Sequence, residues 1–516
     1  MAITIFAAIR LRDTYVGDAA VYLPYARNAG DGHPFQFNLG EFSSGSTSPL
    51  WSLILGVPFL AGFELMGAKA MAALFAAIGF LTTLLAARHF SRSWAAAGVA
   101  ALFALGTMTF PAVSLYESGL VVTLSALALL AGDHVLGAWR ATDAPRAPAW
   151  RTLAPLVAVW AALPLARPDA VILVGAHALA LLAFAPVERR RALRTLAPGL
   201  AVAALPALAY FGYSVAELDT FSTSSQARTF ALREGARDWL GPLFLEDGAV
   251  RELFASPWIF GLLPALAGLW LLWRRAETRW AAAYGALAVV GYVLLLTFVA
   301  PGIYDTPRYL LPLVPVVACG VAVLLARPAQ PLLAWAALGL AALAIGGSAA
   351  DELRDNVRLA RSIGIDRDEV FERDVVARID ALAEPGDAVL AYEVQLRYFL
   401  RQDVKVFSQD GITDPRVAAY REDKDMTGYL MRYRPEFWIA DRNAQTRQYT
   451  DGTILERALV AYRHSPRPAV RVFDGIRFEL VARRNRPLAL GFGGWEFLFR
   501  LSYPPPRGGR SHLPSQ

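Results

Sequence analysis

Thr14–Trp51 reads TYVGDAAVYLPYARNAGDGHPFQFNLGEFSSGSTSPLW, a polar stretch at the head of a chain that is otherwise, as far as residue 350, a ladder of apolar runs. Among its residues are the acid Asp18, the aromatics Tyr22 and Tyr25 and the cation Arg27, not far past the short apolar segment 1–9. A loop of that composition beside an apolar run sets ionisable groups at a bilayer surface. Such groups are costly near membrane depth, and they are commonly retained for a pathway or a reaction.

Working outward, apolar runs recur near 68–87, 94–113, 119–139, 152–166, 170–186, 196–214, 257–273, 280–300, 309–326 and 331–349. About 20 such residues cross the hydrocarbon core as a helix, because backbone groups there must pair internally. With 55% apolar and 18% charged residues among 516, the composition is that of a polytopic membrane protein. The net charge of +6 is mostly arginine in short loops. It is a topology signal, and it does not suggest a nucleic-acid surface. Arg88, Arg92, Arg140, Arg146, Arg151, Arg189–Arg191, Arg194, Arg274, Arg275, Arg279 and Arg327 fall on one side, which the positive-inside rule makes cytoplasmic. Asp18, Glu117, Asp169, Asp219 and Asp305 fall on the other. Counting Pro49–Leu65 as a span would break this alternation, so it is expected to lie on or dip into the outer surface. Met1–Ile9 is expected to be the end of a first transmembrane helix. About 11 transmembrane helices follow, with the N-terminus inside.

The character changes after Ala350. Apolar runs shorten to strand size at 388–392, 404–407, 437–440 and 470–473, with helical patterns at 372–383 and 427–433 and a Pro385-Gly386-Asp387 turn. The expected organisation is a transmembrane domain over 1–350 with its first outer loop at 10–67, then an extracytoplasmic α/β domain over 351–495. A disordered tail is expected over 496–516, Pro/Gly-rich from Tyr503.

Asp18 is the sharpest catalytic candidate: partial desolvation at the interface makes a carboxylate a better base. The competing reading is an acid that merely ends a helix in water. Tyr22, Tyr25 and Arg27 follow at near-helical spacing. Glu117, Arg167 with Asp169, and Arg308 with Tyr309 stand at the mouths of other spans on the same side. Singly each is an ordinary cap or interfacial anchor, whereas together they outline a substrate site. Arginine there suits a lipid phosphate through charge-assisted hydrogen bonds. No nucleotide phosphate loop, paired-histidine zinc helix or nucleophile elbow occurs. His33, His89 and His134 are scattered, and the single cysteine, Cys319, permits no internal disulfide. No metal site and no cofactor are expected, and metal dependence is left open.

The runs Gly17–Asn28, Gly32–Phe35, Phe37-Asn38, Gly40-Glu41 and Gly45–Trp51 resemble the first outer loop of GT-C superfamily glycosyltransferases, in the bacterial arabinofuranosyltransferase-like and mannosyltransferase-like branch. Glu117–Gly119, Arg167–Ala170, Asp219–Phe221, Arg308–Pro312, Pro385–Tyr392 and Tyr398–Gly411 extend the likeness over most of the chain. The resemblance implies a multi-pass enzyme of the bacterial inner membrane with its C-terminal domain in the periplasm. It would take a sugar from a polyprenyl-phosphate donor to a cell-envelope glycan or glycolipid acceptor such as lipopolysaccharide, with inversion. A first-loop carboxylate would be general base, and Arg308 or Arg167 would steady the leaving phosphate. Where that family has two adjacent acids, this chain has Gly17-Asp18, which also admits a catalytically inactive relative. A transporter or flippase for lipid-linked glycans is the alternative from another class, although no internal repeat supports it.

Overall fold

The apolar runs form helices in the computed structural model, which describes residues 19–102, 115–141, 150–222, 258–295, 309–327, 371–392, 394–409, 411–417, 424–441, 452–464, 470–483 and 495–505, with positions 336, 339 and 420. The chain divides into two compact units. A helical unit takes 1–36, 46–222 and 228–361, and an α/β unit takes 37–45, 223–227 and 362–516. Nine residues of the first loop therefore belong with the C-terminal part of the chain, although the sequence assigns that loop to the transmembrane domain.

In the helical unit, α1 (Ala19–Gly30) and α2 (Pro49–Leu60) flank the loop. The helices α3 (Glu64–Ser91), α4 (Ser118–Ala141), α5 (Trp150–Ala166), α6 (Val171–Phe184), α7 (Arg189–Leu218), α8 (Trp258–Trp273), α9 (Arg279–Leu294) and α10 (Val314–Leu325) follow. Among the described residues, α3, α4 and α7 are long and apolar enough to cross a membrane, and the other apolar helices are shorter. The expected spans at 1–9, at 331–349 apart from positions 336 and 339, and in the second half of 94–113 lie outside the described residues. Pro49 starts α2 where its missing N–H costs nothing. The apolar stretch 49–65 is not continuous: Gly62, at φ +75°, ends it before α3.

α4 is the most enclosed of the three long helices, with 78% of its apolar window buried against 28% for α7. The apolar side chains exposed on α7, such as Leu205 and Leu208, suit hydrocarbon contact. Close helix approach is made at glycine. A Cβ on Gly119 of α4 would lie 2.7 Å from the Ala76 nitrogen of α3, and one on Gly268 of α8 would lie 1.8 Å from the Gly320 oxygen of α10. Small residues let backbones meet where no apolar driving force from water operates.

The α/β unit holds one six-stranded sheet in the order β2-β1-β3-β6-β5-β4. β1 (Ala388–Ala391) pairs parallel with β2 (Lys405–Ser408) and β3 (Phe437–Asp441), while β6 (Trp495–Ser502), β5 (Ile476–Arg483) and β4 (Val470–Phe473) continue antiparallel. Helices α11 (Phe371–Leu382), α12 (Met426–Tyr433) and α13 (Ile454–His464) complete it. Trp438 stacks on Phe499 at 5.2 Å between ring centres, and Tyr462 donates to the Phe478 carbonyl (2.6 Å) in the same core. The strands expected at 388–392, 404–407, 437–440 and 470–473 are β1 to β4. β5 and β6 are additions, and the boundary expected at 495 is corrected: β6 begins there and runs to Ser502 in the interior of the sheet. Tyr503 is pinned by its hydroxyl to the Pro435 carbonyl (2.7 Å).

Candidate active site

The loop preceding α4 sets the first charge. Leu115 adopts φ +64°, uncommon for a residue with a side chain, and its carbonyl accepts the indole N–H of Trp51 from α2 at 2.9 Å. Glu117 follows immediately before α4 and is 1% exposed. The second charge comes from the break between α5 and α6. Proline disfavours helical geometry in the residue before it, so Arg167 turns extended (φ −158°, ψ 129°), α5 stops at Ala166, and Pro168–Ala170 makes a single 3-10 turn. That turn puts Arg167 and Asp169 side by side.

Arg167 is 5% exposed and fully engaged. Its Nη1 donates to Glu117 Oε1 (2.9 Å), while Nε and Nη2 donate to the two oxygens of Asp169 (2.9 and 3.1 Å). The guanidinium also lies over the Tyr309 ring, 4.4 Å from its centre. Glu117 Oε2 accepts from the Tyr22 hydroxyl of α1 at 2.8 Å, and that oxygen is 2.7 Å from Thr47 Oγ1. A phenol has one proton, which goes to Glu117, so Thr47 is the donor in the second bond. The fully buried Tyr292 of α9 lies within electrostatic range of Asp169 and Arg167.

Five residues singled out by sequence thus share one network: Tyr22, Glu117, Arg167, Asp169 and Tyr309. Arg27 sits five residues beyond Tyr22 on α1, so helix geometry turns it about 140° away around the axis. Asp18 and Arg308 lie outside the described residues. Thr47 and Trp51 belong to the Gly45–Trp51 run without being singled out as site residues, and Tyr292 carries no sequence signal of its own. Lys69 does: it is a lone cation in the apolar run of α3, and it is buried at 7% exposure. Among the described residues no group of three or more His, Cys, Asp or Glu side chains is arranged to hold a metal ion.

Every Glu117 and Asp169 oxygen already accepts a hydrogen bond, and Arg167 has a carboxylate on each side. The arrangement clamps Tyr22 and Tyr309 to the ends of α4 and α5. It is suited to positioning side chains, with both carboxylates already engaged.

Comparison with protein-family models gives no match, and comparison with curated proteins gives none either. Solved structures do match. ArnT from Cupriavidus metallidurans bound to undecaprenyl phosphate superposes with a TM-score of 0.58 at 15% identity, over 97% of this chain and 96% of that one. Its apo state gives 0.56 at 16% identity over the same shares. The archaeal oligosaccharyltransferase AglB from Archaeoglobus fulgidus, in complex with an inhibitory peptide and a dolichol-phosphate, gives 0.50 at 12% identity over 89% of this chain and 71% of that one. At such identities the likeness is one of fold.

Proposed function

We propose that the chain is an integral membrane glycosyltransferase that moves a sugar from a polyprenyl-phosphate-linked donor to a cell-envelope glycan or glycolipid on the outer, periplasmic face of the bacterial inner membrane. The observation that carries this reading is the buried network joining the first loop to three helix mouths through Tyr22, Glu117, Arg167, Asp169 and Tyr309. It lies in a chain matched over 97% of its length by a fold seen with undecaprenyl phosphate bound.

In the reaction an acceptor hydroxyl attacks the anomeric carbon from the face opposite the lipid phosphate. The new C–O bond forms as the bond to phosphate breaks, and the configuration inverts. Asp18, four residues before Tyr22, takes the hydroxyl proton. The departing phosphate gains negative charge, which Arg308 is suited to steady. Arg167, held between two carboxylates, orients the site and leaves the phosphate to that cation.

Transfer from radiolabelled polyprenyl-phosphate sugars by membranes carrying the wild-type chain or Asp18→Asn tests the proposal. Transfer by the wild type, lost in Asp18→Asn at normal protein level, is expected. Equal transfer by both moves the base to another acid, Asp13 first. No transfer from any donor overturns the reading.

A further inference from the structure

The hydrogen bonds of the buried network run in one direction, and they end at Thr47. A guanidinium can only donate, so Glu117 and Asp169 meet Arg167 as acceptors. Glu117 Oε2 then takes the Tyr22 proton (2.8 Å). The Tyr22 oxygen is left to accept, and Thr47 gives it the one proton it has (2.7 Å). Each link is set by the one before it, starting from a side chain that stays charged at any working pH. At the far end the Thr47 oxygen keeps lone pairs and has no proton to offer.

Thr47 is also the open end. Tyr22, Glu117 and Arg167 are all buried, whereas Thr47 is half-buried between two buried serines, Ser46 and Ser48. Those serines fix its place within the helical unit. Ser46 Oγ pairs with Ser52 Oγ of α2 (2.8 Å) and accepts from the Ser48 N–H (3.3 Å). The Ser52 N–H in turn donates to the Ser48 carbonyl (3.0 Å). The hydroxyl is thus held on a serine turn at the start of α2, with its proton directed inward to Tyr22. Asp169, partly exposed and facing Arg167 with both oxygens, is a second outward acceptor.

We infer that Thr47 reads a hydroxyl of a sugar ring: its oxygen accepts a hydrogen bond from a ligand O–H and refuses an ionised phosphate oxygen. The inference deepens the transferase reading and rests on it. An ordinary threonine hydroxyl turns its proton to suit either a donor or an acceptor. Here the chain of bonds back to Arg167 removes that choice. A phosphate oxygen would meet lone pairs at Thr47 and a carboxylate at Asp169, whereas a sugar hydroxyl supplies the proton that both lack. Thr47 is accordingly a specificity-determining residue.

The test uses the full-length protein in detergent, as wild type, Thr47→Val and Thr47→Ser. Its probes are undecaprenyl phosphate without a sugar, the same lipid phosphate carrying mannose, glucose or arabinofuranose, and analogues with one ring hydroxyl replaced by fluorine. Fluorine keeps the size and cannot donate. Sugar-free undecaprenyl phosphate is expected to bind wild type and Thr47→Val within about twofold. Fluorine at one ring position is expected to weaken binding to the wild type and to Thr47→Ser about tenfold, the worth of one hydrogen bond, and to cost nothing in Thr47→Val. The same comparison on alkyl glycoside acceptors, read as KM in transfer, assigns the hydroxyl to the donor sugar or to the acceptor. A merely structural role for Thr47 would leave the fluorine penalty the same in all three proteins. That result at every ring position of donor and acceptor overturns the inference. So does a Thr47→Val protein that loses sugar-free undecaprenyl phosphate as strongly as the sugar-bearing lipid. A wild type that binds none of these lipids overturns the transferase reading, and the role of Thr47 falls with it.

Discussion

The two charged clusters of this protein are built from the same groups and are set in different surroundings. In the helical unit, Glu117, Arg167 and Asp169 have side-chain exposures of 1%, 6% and 12%. In the α/β unit, Glu41, Lys405 and Arg416 have 18%, 36% and 29%. Water and salt reach the second cluster and weaken each pair in it. They do not reach the first, where every charge depends on its neighbour and losing one strands the others. The first cluster therefore holds by electrostatics, and the second holds by registering a segment of chain.

That contrast is tested most severely by Arg167→Gln. Two buried carboxylates would lose their shared cation, at a cost of about 3–5 kcal/mol. A large drop in the thermal midpoint in detergent, with loss of transfer, is expected. A variant as stable as the wild type would show that the helical cluster is no more dependent on its charges than the surface one. Glu117→Gln is milder, because the Arg167–Asp169 pair survives. It exchanges a charged acceptor for a neutral amide facing two donors, costing about 1.5–3 kcal/mol, and transfer should fall with the midpoint.

The α/β cluster responds instead to pH. Burial alone would raise the Glu41 carboxyl, but Arg416 and Lys405 outweigh it and hold it below its ordinary value. A depressed folded value means stability that is present above the unfolded value, near 4.3, and is lost as pH falls through the folded one. The difference in thermal midpoint between the wild type and Glu41→Gln should accordingly shrink below pH ~4. Asp414, beside Arg416, has the opposite sign. Its burial outweighs the guanidinium and raises the carboxyl, so its contribution is present at low pH and fades as pH rises. Asp414→Asn should therefore leave the neutral-pH midpoint unchanged or raised. Lys405→Met is the smallest change, under about 1 kcal/mol. An effect as large as that of Arg167→Gln would erase the distinction between the clusters.

How much of this was legible in the sequence follows from the range of each interaction. Glu117, Arg167, Asp169 and Tyr309 stand where apolar runs end, and a charge at such a boundary is visible without any partner. Thr47 is one hydroxyl in a serine-rich run, and only the fold selects it. Asn38 and Glu41 stand in runs that the sequence singles out, but their partners, Val406 and Lys405, are more than 360 positions away, so the contacts themselves are not legible. Of the strands, β1 to β4 are compact apolar runs. β5 has one local signal, Asp474-Gly475, both at positive φ (46° and 83°), the tight turn that joins it to β4. β6 stands beside a Pro/Gly-rich stretch that reads as a tail, and its charges, Glu496 and Arg500, blur the strand pattern.

The place of β6 bears on how the protein is made. β6, the last in chain order of the six described strands, lies between β3 and β5, so neither half of the sheet has its inner neighbour until residue 502 has left the ribosome. At roughly 5–20 residues per second the edge of β3 waits several seconds, unpaired, after its own synthesis. Until then the α/β unit is incomplete, and two open strand edges are its hazard for aggregation while it waits.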